Sequence, residues 1–227
     1  MSSGLLSPPA AATGSRRHRT VPLAAVLTAA AFLVAPPLGR DLAAQVARAE
    51  FWSRHGPAVW DLGWYGGFSP YGYSLLTPAP MAWLGGGTDG PRRLGALALV
   101  VTAVAFAALL RRTDARRPVL GGLLGLAGIA GNLVSGRITF TVGLAFGVGA
   151  LLAAAYRRPV VAVAAAVLTS AASPVAGLFL GLGGTALILC GRRRGGIGLA
   201  AGSGVPLLAT GLVFGTDGPM TTLAADT

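Results

Sequence analysis

The sequence predicts an all-α protein, a bundle of transmembrane helices that carries one long loop on the outer side of the membrane. Hydrophobic residues make up 53% of the 227-residue chain and charged residues only 11%, against roughly 25% in soluble domains. The apolar residues form runs of about the length that crosses a bilayer, and arginines cluster between these runs. Together these observations predict an integral membrane protein.

Seven apolar segments make up the predicted transmembrane domain, residues 21–215. A polar tail precedes it at residues 1–20 and is expected to be disordered and cytoplasmic. The first helix is expected at 21–38 rather than a cleaved signal peptide, because the prolines of "APPLGR" make a poor cleavage site. The other segments are 94–110, 118–135, 138–156, 159–172, 175–190 and 195–214.

The stretch 159–190 leaves the number of spans at seven or six. Pro174 follows "SAAS" and cannot continue a helix there. The stretch therefore forms either two short helices or one kinked span with a re-entrant piece. About seven spans is the prediction, and six is the alternative.

Arginine placement predicts the orientation of the helices. Most of the 18 basic residues fall in clusters on alternate connections, as the positive-inside rule requires when the N-terminus is cytoplasmic. A crossing at 71–86 would place "RRTDARR" outside, so this segment is expected to dip into the membrane or lie on it. Residues 40–91 then form the long extracytoplasmic loop, and 216–227 form an extracytoplasmic tail, of a plasma-membrane protein.

The net charge of +11 would indicate a nucleic-acid partner in a soluble protein. Here the basic residues are all arginines and lie mainly between apolar runs, so membrane topology explains the charge and no nucleic acid is expected. Abundant Ala, Gly and Arg without Lys are typical of a GC-rich, actinobacterial genome. The partner that the composition predicts is the lipid bilayer.

The extracytoplasmic loop opens with a predicted amphipathic helix, "RDLAAQVARAEFWSRHG", at residues 40–56. Apolar side chains at Leu42, Val46 and Ala49 recur every three or four residues. Gly56, followed by a proline, is expected to end the helix. Such a helix is expected to lie at the membrane interface with its aromatic side chains at headgroup depth.

Two roles are open for Asp41, which stands where this helix begins. As an N-cap, its carboxylate would accept from unpaired backbone amides and face the positive end of the helix dipole. As a catalytic base beside an outward cavity, it would take a proton from an acceptor hydroxyl. Both roles can hold together. Glu50, His55 and Asp61 are secondary candidates, although an interfacial position explains His55 without a catalytic role.

Arg137 lies in "GNLVSGRITF", between the third and fourth spans. At the outer face its guanidinium can bind a phosphate bidentately, pair with Asp41, or reach water as a snorkelling interfacial arginine. The chain has two histidines and one cysteine, so neither a metal site nor an internal disulfide is expected. The residues themselves imply no cofactor.

A first membrane helix, an aspartate at the start of a long outer loop and a bundle of short spans resemble the C-type superfamily of membrane glycosyltransferases. The resemblance covers about residues 20–215 and is carried by "GRDLAAQVARAEFWSRHG", "WDLGWYGGFSPYGYSLLTPAP" and "GNLVSGRITFTVGLAFGVGALLAAAYRR". It implies transfer of a sugar from a polyprenyl-phosphate donor to a glycan or lipid acceptor of the cell envelope. It also allows a divalent metal as cofactor.

By this resemblance, Asp41 corresponds to the catalytic carboxylate of the family. In an enzyme that acts on a lipid phosphate, an arginine at the position of Arg137 would hold the donor phosphate. Aromatic residues, on whose faces sugars stack, would shape the acceptor pocket: Trp64, Tyr65, Tyr71 and Tyr73. The chain lacks the second acidic residue that family members often carry beside this aspartate. Family members are also often longer, which implies an N-terminal portion or a truncated form.

A non-catalytic membrane subunit and a transporter are the alternative functions. Ion-coupled transporters usually carry ionisable residues within their spans, and many contain internal repeats. The predicted spans have charges only at their ends and share composition without a repeat, which disfavours transport. Glycine is so abundant that small-xxx-small patterns are given little weight as signals of helix pairing.

Overall fold

A computed structural model of the protein describes residues 11–63 and 69–214. Within these residues the chain forms α-helices and no β-strand, which confirms the all-α prediction. The helices are α1 (Ala11–Val34), α2 (Leu42–His55), α3 (Pro70–Tyr73), α4 (Pro78–Trp83), α5 (Asp89–Arg112), α6 (Pro118–Val134), α7 (Ile138–Ala155), α8 (Pro159–Ala172), α9 (Pro174–Leu189) and α10 (Arg193–Phe214).

Three helices are long and apolar enough to cross a membrane: α5, α7 and α10 over Arg193–Val213. Four further apolar helices are shorter, namely Arg19–Val34 within α1, α6, α8 and α9. The 14 residues of α8 extend about 21 Å, which is less than the roughly 30 Å thickness of a bilayer's hydrocarbon core. The structure thus supports a membrane protein built as a helical bundle.

The bundle is centred on α7, which packs against α5 on one side and α8 on the other. One hydrophobic core lies between α1, α2, α4, α5, α6 and α7 and includes Leu99, Leu133 and Ile138. A second core lies between α7, α8, α9 and α10 and includes Leu180 and Leu199. Small residues on α7 let the flanking helices approach it closely, as Gly143 does beside α8 and α9.

Successive long helices alternate in direction, so the bundle has two distinct ends. We call the end where α6 and α8 finish and α5, α7 and α9 begin the loop end. The opposite end carries the connections at 113–117, 156–158 and 190–192, and we call it the arginine end. Helices α2, α3 and α4 belong to the loop end, since α4 packs on α2 and α5 and the backbone of Leu75 donates to Ala171 at the end of α8 (2.8 Å).

The first helix ends earlier than the predicted 21–38, at Val34, because prolines at 36 and 37 disfavour helical geometry in the residues before them. It also begins at Ala11, inside the segment expected to be disordered, in a stretch of helix-favouring alanine and arginine. Arg92 of α5 caps the C-terminal end of α1. Its Nη2 donates to the carbonyls of Phe32, Leu33 and Ala35. Those carbonyls have no partner within α1.

The predicted loop 40–91 is more ordered than its sequence indicated. The amphipathic helix is present as α2, and it ends at Gly56 as predicted. Pro70 and Pro78 are each the first residue of a short helix, a position where the missing N–H costs nothing. Helices α3 and α4 have 4 and 6 residues, each too few to cross a membrane.

Between α8 and α9 the chain turns at a single extended residue, Ser173, whose Oγ accepts from the amide of Ala176 (3.4 Å). Pro174 starts α9, as its position after "SAAS" suggested. Gly184 of α9 lies against Ala200 of α10, and Gly202 of α10 lies against Ala166 of α8. The stretch 159–190 therefore forms two short helices side by side.

Candidate functional site at the loop end

Two tight turns meet at the loop end and fix the candidate site. Gly39, before α2, and Gly136, before α7, both have positive φ, 95° and 86°. A Cβ on Gly39 would overlap the backbone of Ser135, and a Cβ on Gly136 would overlap the backbone of Leu42. Only glycine allows so close an approach of the two backbones. The amide of Asp41 also donates to the carbonyl of Ser135 (3.4 Å).

This contact brings Asp41 and Arg137 together across 96 residues of sequence. Arg137 Nε donates to Asp41 Oδ2 at 3.1 Å. The carboxylate makes no capping hydrogen bond to α2, so the expected capping bond is absent; the side chain is turned toward the guanidinium instead. The sequence left three interactions open for the Arg137 guanidinium: a phosphate, Asp41 or water. In the structure it pairs with Asp41.

The pair is exposed, with relative side-chain exposures of 60% for Arg137 and 49% for Asp41. Exposed ion pairs contribute only about 0–1 kcal/mol, so this one is not what holds the turns together. Nη1 and Nη2 of Arg137 and Oδ1 of Asp41 have no hydrogen-bonding partner among the described residues. The pair therefore offers both anion-binding N–H groups and a free carboxylate oxygen at one point.

Behind Asp41, the same face of α2 carries two further polar residues, Gln45 and Arg48. Spacings of four and then three residues place all three on one stripe of the helix. Gln45 is completely buried, and neither its amide nitrogen nor its amide oxygen has a hydrogen-bonding partner. Leaving such a group unsatisfied costs about 1–3 kcal/mol. The Oγ of Ser69, the residue before α3, is also buried without a hydrogen-bonding partner.

Arg48 is packed against Tyr73, with its guanidinium carbon 3.5 Å from the centre of the ring. Its Nε and Nη1 are buried without a partner. Burial lowers the pKa of the Arg48 guanidinium below its ordinary value, and the nearby Tyr73 side chain partly offsets this. The group stays charged because arginine's ordinary pKa is so high. A desolvated cation with unused N–H donors is suited to holding an anion.

The secondary candidates Glu50, His55 and Asp61 lie around a second region of the loop end, beside α2. All three line a shallow cavity of about 500 Å³, together with Trp60 and Phe51. Glu50 pairs with Arg54 (3.0 Å), and the carboxylate of Asp61 accepts from the amide of Gly63 (2.9 Å). The structure thus groups these candidates with one another and not with Asp41.

The aromatic candidates divide between described and undescribed parts of the chain. Tyr73 is half-exposed and contacts Arg48, and Tyr71 is partly buried in the same short helix. Trp64 and Tyr65 lie outside the described residues. The contact with Arg48 places Tyr73 beside the α2 stripe.

A divalent metal, which the family resemblance allows, has no ready set of protein ligands here. The described residues contain no group of three or more His, Cys, Asp or Glu side chains placed to hold a metal ion. Asp41 is engaged by a guanidinium, which disfavours a second cation at the same carboxylate. No chemical step is therefore assigned to a metal.

Sequence reasoning missed Gln45 and Arg48, although a signal was present. Polar residues at positions 41, 45 and 48 follow the helical period as closely as the apolar ones at 42, 46 and 49. The apolar positions predict an interfacial amphipathic helix, which gives no reason to expect a buried polar stripe. In the structure Leu42 and Ala49 are buried, but so is Gln45 between them.

Taken together, these residues can bind an anion and accept a proton within one small region. The cationic groups are Arg137 and Arg48, and the free carboxylate oxygen belongs to Asp41. Comparison of the chain with protein-family models, curated proteins and solved structures finds no significant match. The function must therefore be inferred from this site itself.

Proposed function

We propose that the protein is a membrane-embedded glycosyltransferase that moves a sugar from a polyprenyl-phosphate donor to a glycan or lipid acceptor outside the cell. The observation that carries the proposal is the contact between Asp41 and Arg137 at the loop end (3.1 Å). Glycosyl transfer from a phosphate ester needs a base for the acceptor hydroxyl and a cationic group for the leaving phosphate. These two residues are of the right kinds and lie side by side.

In the proposed reaction, the donor phosphate binds the free N–H groups of Arg137, with Arg48 as a second cation. Because the exposed Asp41–Arg137 pair is weak, the phosphate can draw Arg137 away and leave the carboxylate of Asp41 free. The acceptor oxygen then attacks the anomeric carbon, and its proton passes to Asp41. The bond between that carbon and the phosphate oxygen breaks, and polyprenyl phosphate leaves with the electron pair, stabilised by the guanidinium groups.

The proposed topology has seven crossings, formed by the three long apolar helices and the four shorter ones. The alternation of direction along the bundle and the arginines at one end support it. The arginine end then faces the cytoplasm with the N-terminus, and the loop end faces outward across the plasma membrane. Helices shorter than the bilayer are tolerated by local thinning of the membrane.

The test is a profile of envelope glycans and glycolipids, by mass spectrometry, in a deletion strain complemented with variants. Asp41→Asn removes the base while keeping size and hydrogen bonding, so product formation should fall about 10²–10⁴-fold. Arg137→Lys keeps the charge but loses the guanidinium fork, and it should also reduce the product.

Asp89 and Arg93 provide the matched control, because they form another exposed aspartate–arginine pair at the same end (2.9 Å). Asp89→Asn should leave product formation at the wild-type level. If Asp41→Asn behaves like Asp89→Asn, the assignment of the base is wrong. If deletion of the whole gene changes no product and the protein co-purifies with a larger membrane protein, the non-catalytic subunit is the better description.

A further inference from the structure

At the arginine end, three connections surround a cavity with a volume of about 1230 Å³. We call it the arginine cavity. Its wall is formed by the α5–α6, α7–α8 and α9–α10 connections and by the first turns of α8 and α10. Six residues of the wall are arginines: Arg112, Arg157, Arg158, Arg192, Arg193 and Arg194. The cavity lies at the opposite end of the bundle from Asp41.

The arginine cavity has a large excess of positive charge. Asp114 is the single acidic residue in the wall as described, and none of the six arginines forms an ion pair with a described carboxylate. Helices α8 and α10 also begin at this wall, and the N-terminus of a helix favours anions. Cations gathered around a concave surface repel one another and concentrate anions from solution.

The turns that line the cavity have an unusual backbone conformation, which membrane topology alone does not require. In each of the three connections the second residue beyond the helix has positive φ: Asp114 (53°), Arg157 (56°) and Gly191 (81°). In the α7–α8 connection, the amides of Arg157 and Arg158 donate to Ala154 and Ala153 (3.0 and 2.9 Å), which is the Schellman arrangement.

Glycine is the usual residue at that position because it has no Cβ, and α9 ends with one. The α7–α8 connection instead has Arg157, although a glycine there with an arginine nearby would satisfy the positive-inside rule equally well. Strained backbone of this kind concentrates at functional sites. Arg157 therefore lies at the cavity wall in a backbone conformation that costs conformational free energy. Membrane topology does not explain why an arginine occupies this position.

We propose that the arginine cavity binds an anion with two or more phosphate charges, held by Arg157 and Arg158 together with arginines of the α9–α10 connection. Guanidinium groups bind phosphate oxygens through paired hydrogen bonds. The volume exceeds the needs of a single phosphate ion. An anionic phospholipid headgroup and a soluble phosphate compound share this chemistry. The proposal does not depend on the proposed glycosyl transfer.

Two probes of the purified protein distinguish the sources. Pyrophosphate is titrated into the protein in detergent by calorimetry, and phosphatidic acid is compared with phosphatidylcholine by native mass spectrometry. Binding of phosphatidic acid alone assigns the lipid source, and binding of pyrophosphate alone assigns the soluble source; either supports the proposal. Failure of the wild-type protein to bind both probes overturns it.

Arg157→Gly is the decisive variant, because it removes one guanidinium and relieves the turn. The affinity for the bound probe should fall about tenfold, while the melting temperature should stay the same or rise. A loss of binding then cannot be attributed to misfolding. Arg158→Gln should weaken binding in the same way.

The matched control is the double variant Arg116→Gln and Arg117→Gln. These arginines are exposed in the α5–α6 connection at the same end, but they are not part of the cavity wall. The double variant should bind the probe with wild-type affinity although it removes twice the charge of Arg157→Gly. An equal or greater loss in the control would show that net charge alone governs binding and would overturn the proposal.

Discussion

At the scale of single residues, Gln45 is the most informative side chain of the candidate site. It is completely buried, yet neither end of its amide is hydrogen-bonded. Protein interiors rarely leave such groups unpaired, because each costs about 1–3 kcal/mol. An apolar residue of similar size would serve the core better. The presence of glutamine on the stripe between Asp41 and Arg48 fits a role in binding a polar ligand.

This argument predicts opposite effects of Gln45→Met on stability and on function. Methionine has a similar volume and no polar group to satisfy, so the free energy of unfolding should rise by about 1–3 kcal/mol. Under the proposed function, sugar transfer should fall, because the stripe would lose an amide that can bind a polar ligand. Thermal unfolding in detergent measures the first effect, and the glycan profile measures the second.

Thr102→Val is the control for Gln45→Met. Thr102 is equally buried, but its hydroxyl is already satisfied by the carbonyl of Ala98 (2.6 Å). Valine should therefore give no gain in stability. If Gln45→Met melts no higher than wild type, the unpaired amide of Gln45 does not destabilise the folded protein.

At the scale of elements, the helices were predictable and the contacts between them were not. Each apolar run in the sequence corresponds to a helix, because length and hydropathy decide that locally. Glycine patterns have little weight in the sequence as signals of helix pairing, yet glycines form the contact between α9 and α10. Gly184 of α9 and Gly196 of α10 lie where a Cβ would overlap the other helix's backbone. The chain has 35 glycines, so composition hides the few that make contacts.

The α9–α10 contact gives a prediction with an internal control in neighbouring residues. Gly184→Leu would force a side chain into the backbone of α10 around Gly196 and Ala200, and should destabilise the protein by about 1–3 kcal/mol. Gly183→Leu, one position earlier, enters open space. It should leave stability unchanged or raise it, since leucine favours helix over glycine. Thermal unfolding of the two variants compares them directly.

If Gly184→Leu and Gly183→Leu unfold at the same temperature, α9 and α10 do not pack through Gly184. If only Gly183→Leu is destabilised, the face of α9 toward α10 is rotated by one residue, about 100°. Both outcomes would contradict the arrangement of the second core. The expected result would support it without reference to function.

At the scale of the whole molecule, arginine placement anticipated much of the architecture. The clusters at "RRTDARR", "YRR" and "RRR" lie together at one end of the bundle, as alternating connections require. The sequence could not predict the cavity at that end. The arginine clusters surround it because three similar turns converge there. Nor could the sequence predict the contact between Asp41 and Arg137. That contact depends on two glycine turns, 39 and 136, that meet only in the folded chain.

The orientation of the bundle in the membrane can be tested with the chain's single cysteine. Cys190 is exposed at the end of α9, on the arginine end. If that end is cytoplasmic, a membrane-impermeant maleimide should label Cys190 in inverted vesicles and not in intact cells. A single kinked span over 159–190, the six-span alternative, would place Cys190 on the outer side.

The complementary reporter is Ser53→Cys in a Cys190→Ser background. Ser53 is exposed on α2 at the loop end, so this cysteine should be labelled in intact cells. Labelling of Cys190 from outside with protection of position 53 would show that the bundle is inserted the other way round. Labelling of both positions from the same side would show that α8 and α9 do not cross as a pair. Opposite labelling in the expected sense would place Asp41 and Arg137 at the outer surface, where an extracytoplasmic acceptor could reach them.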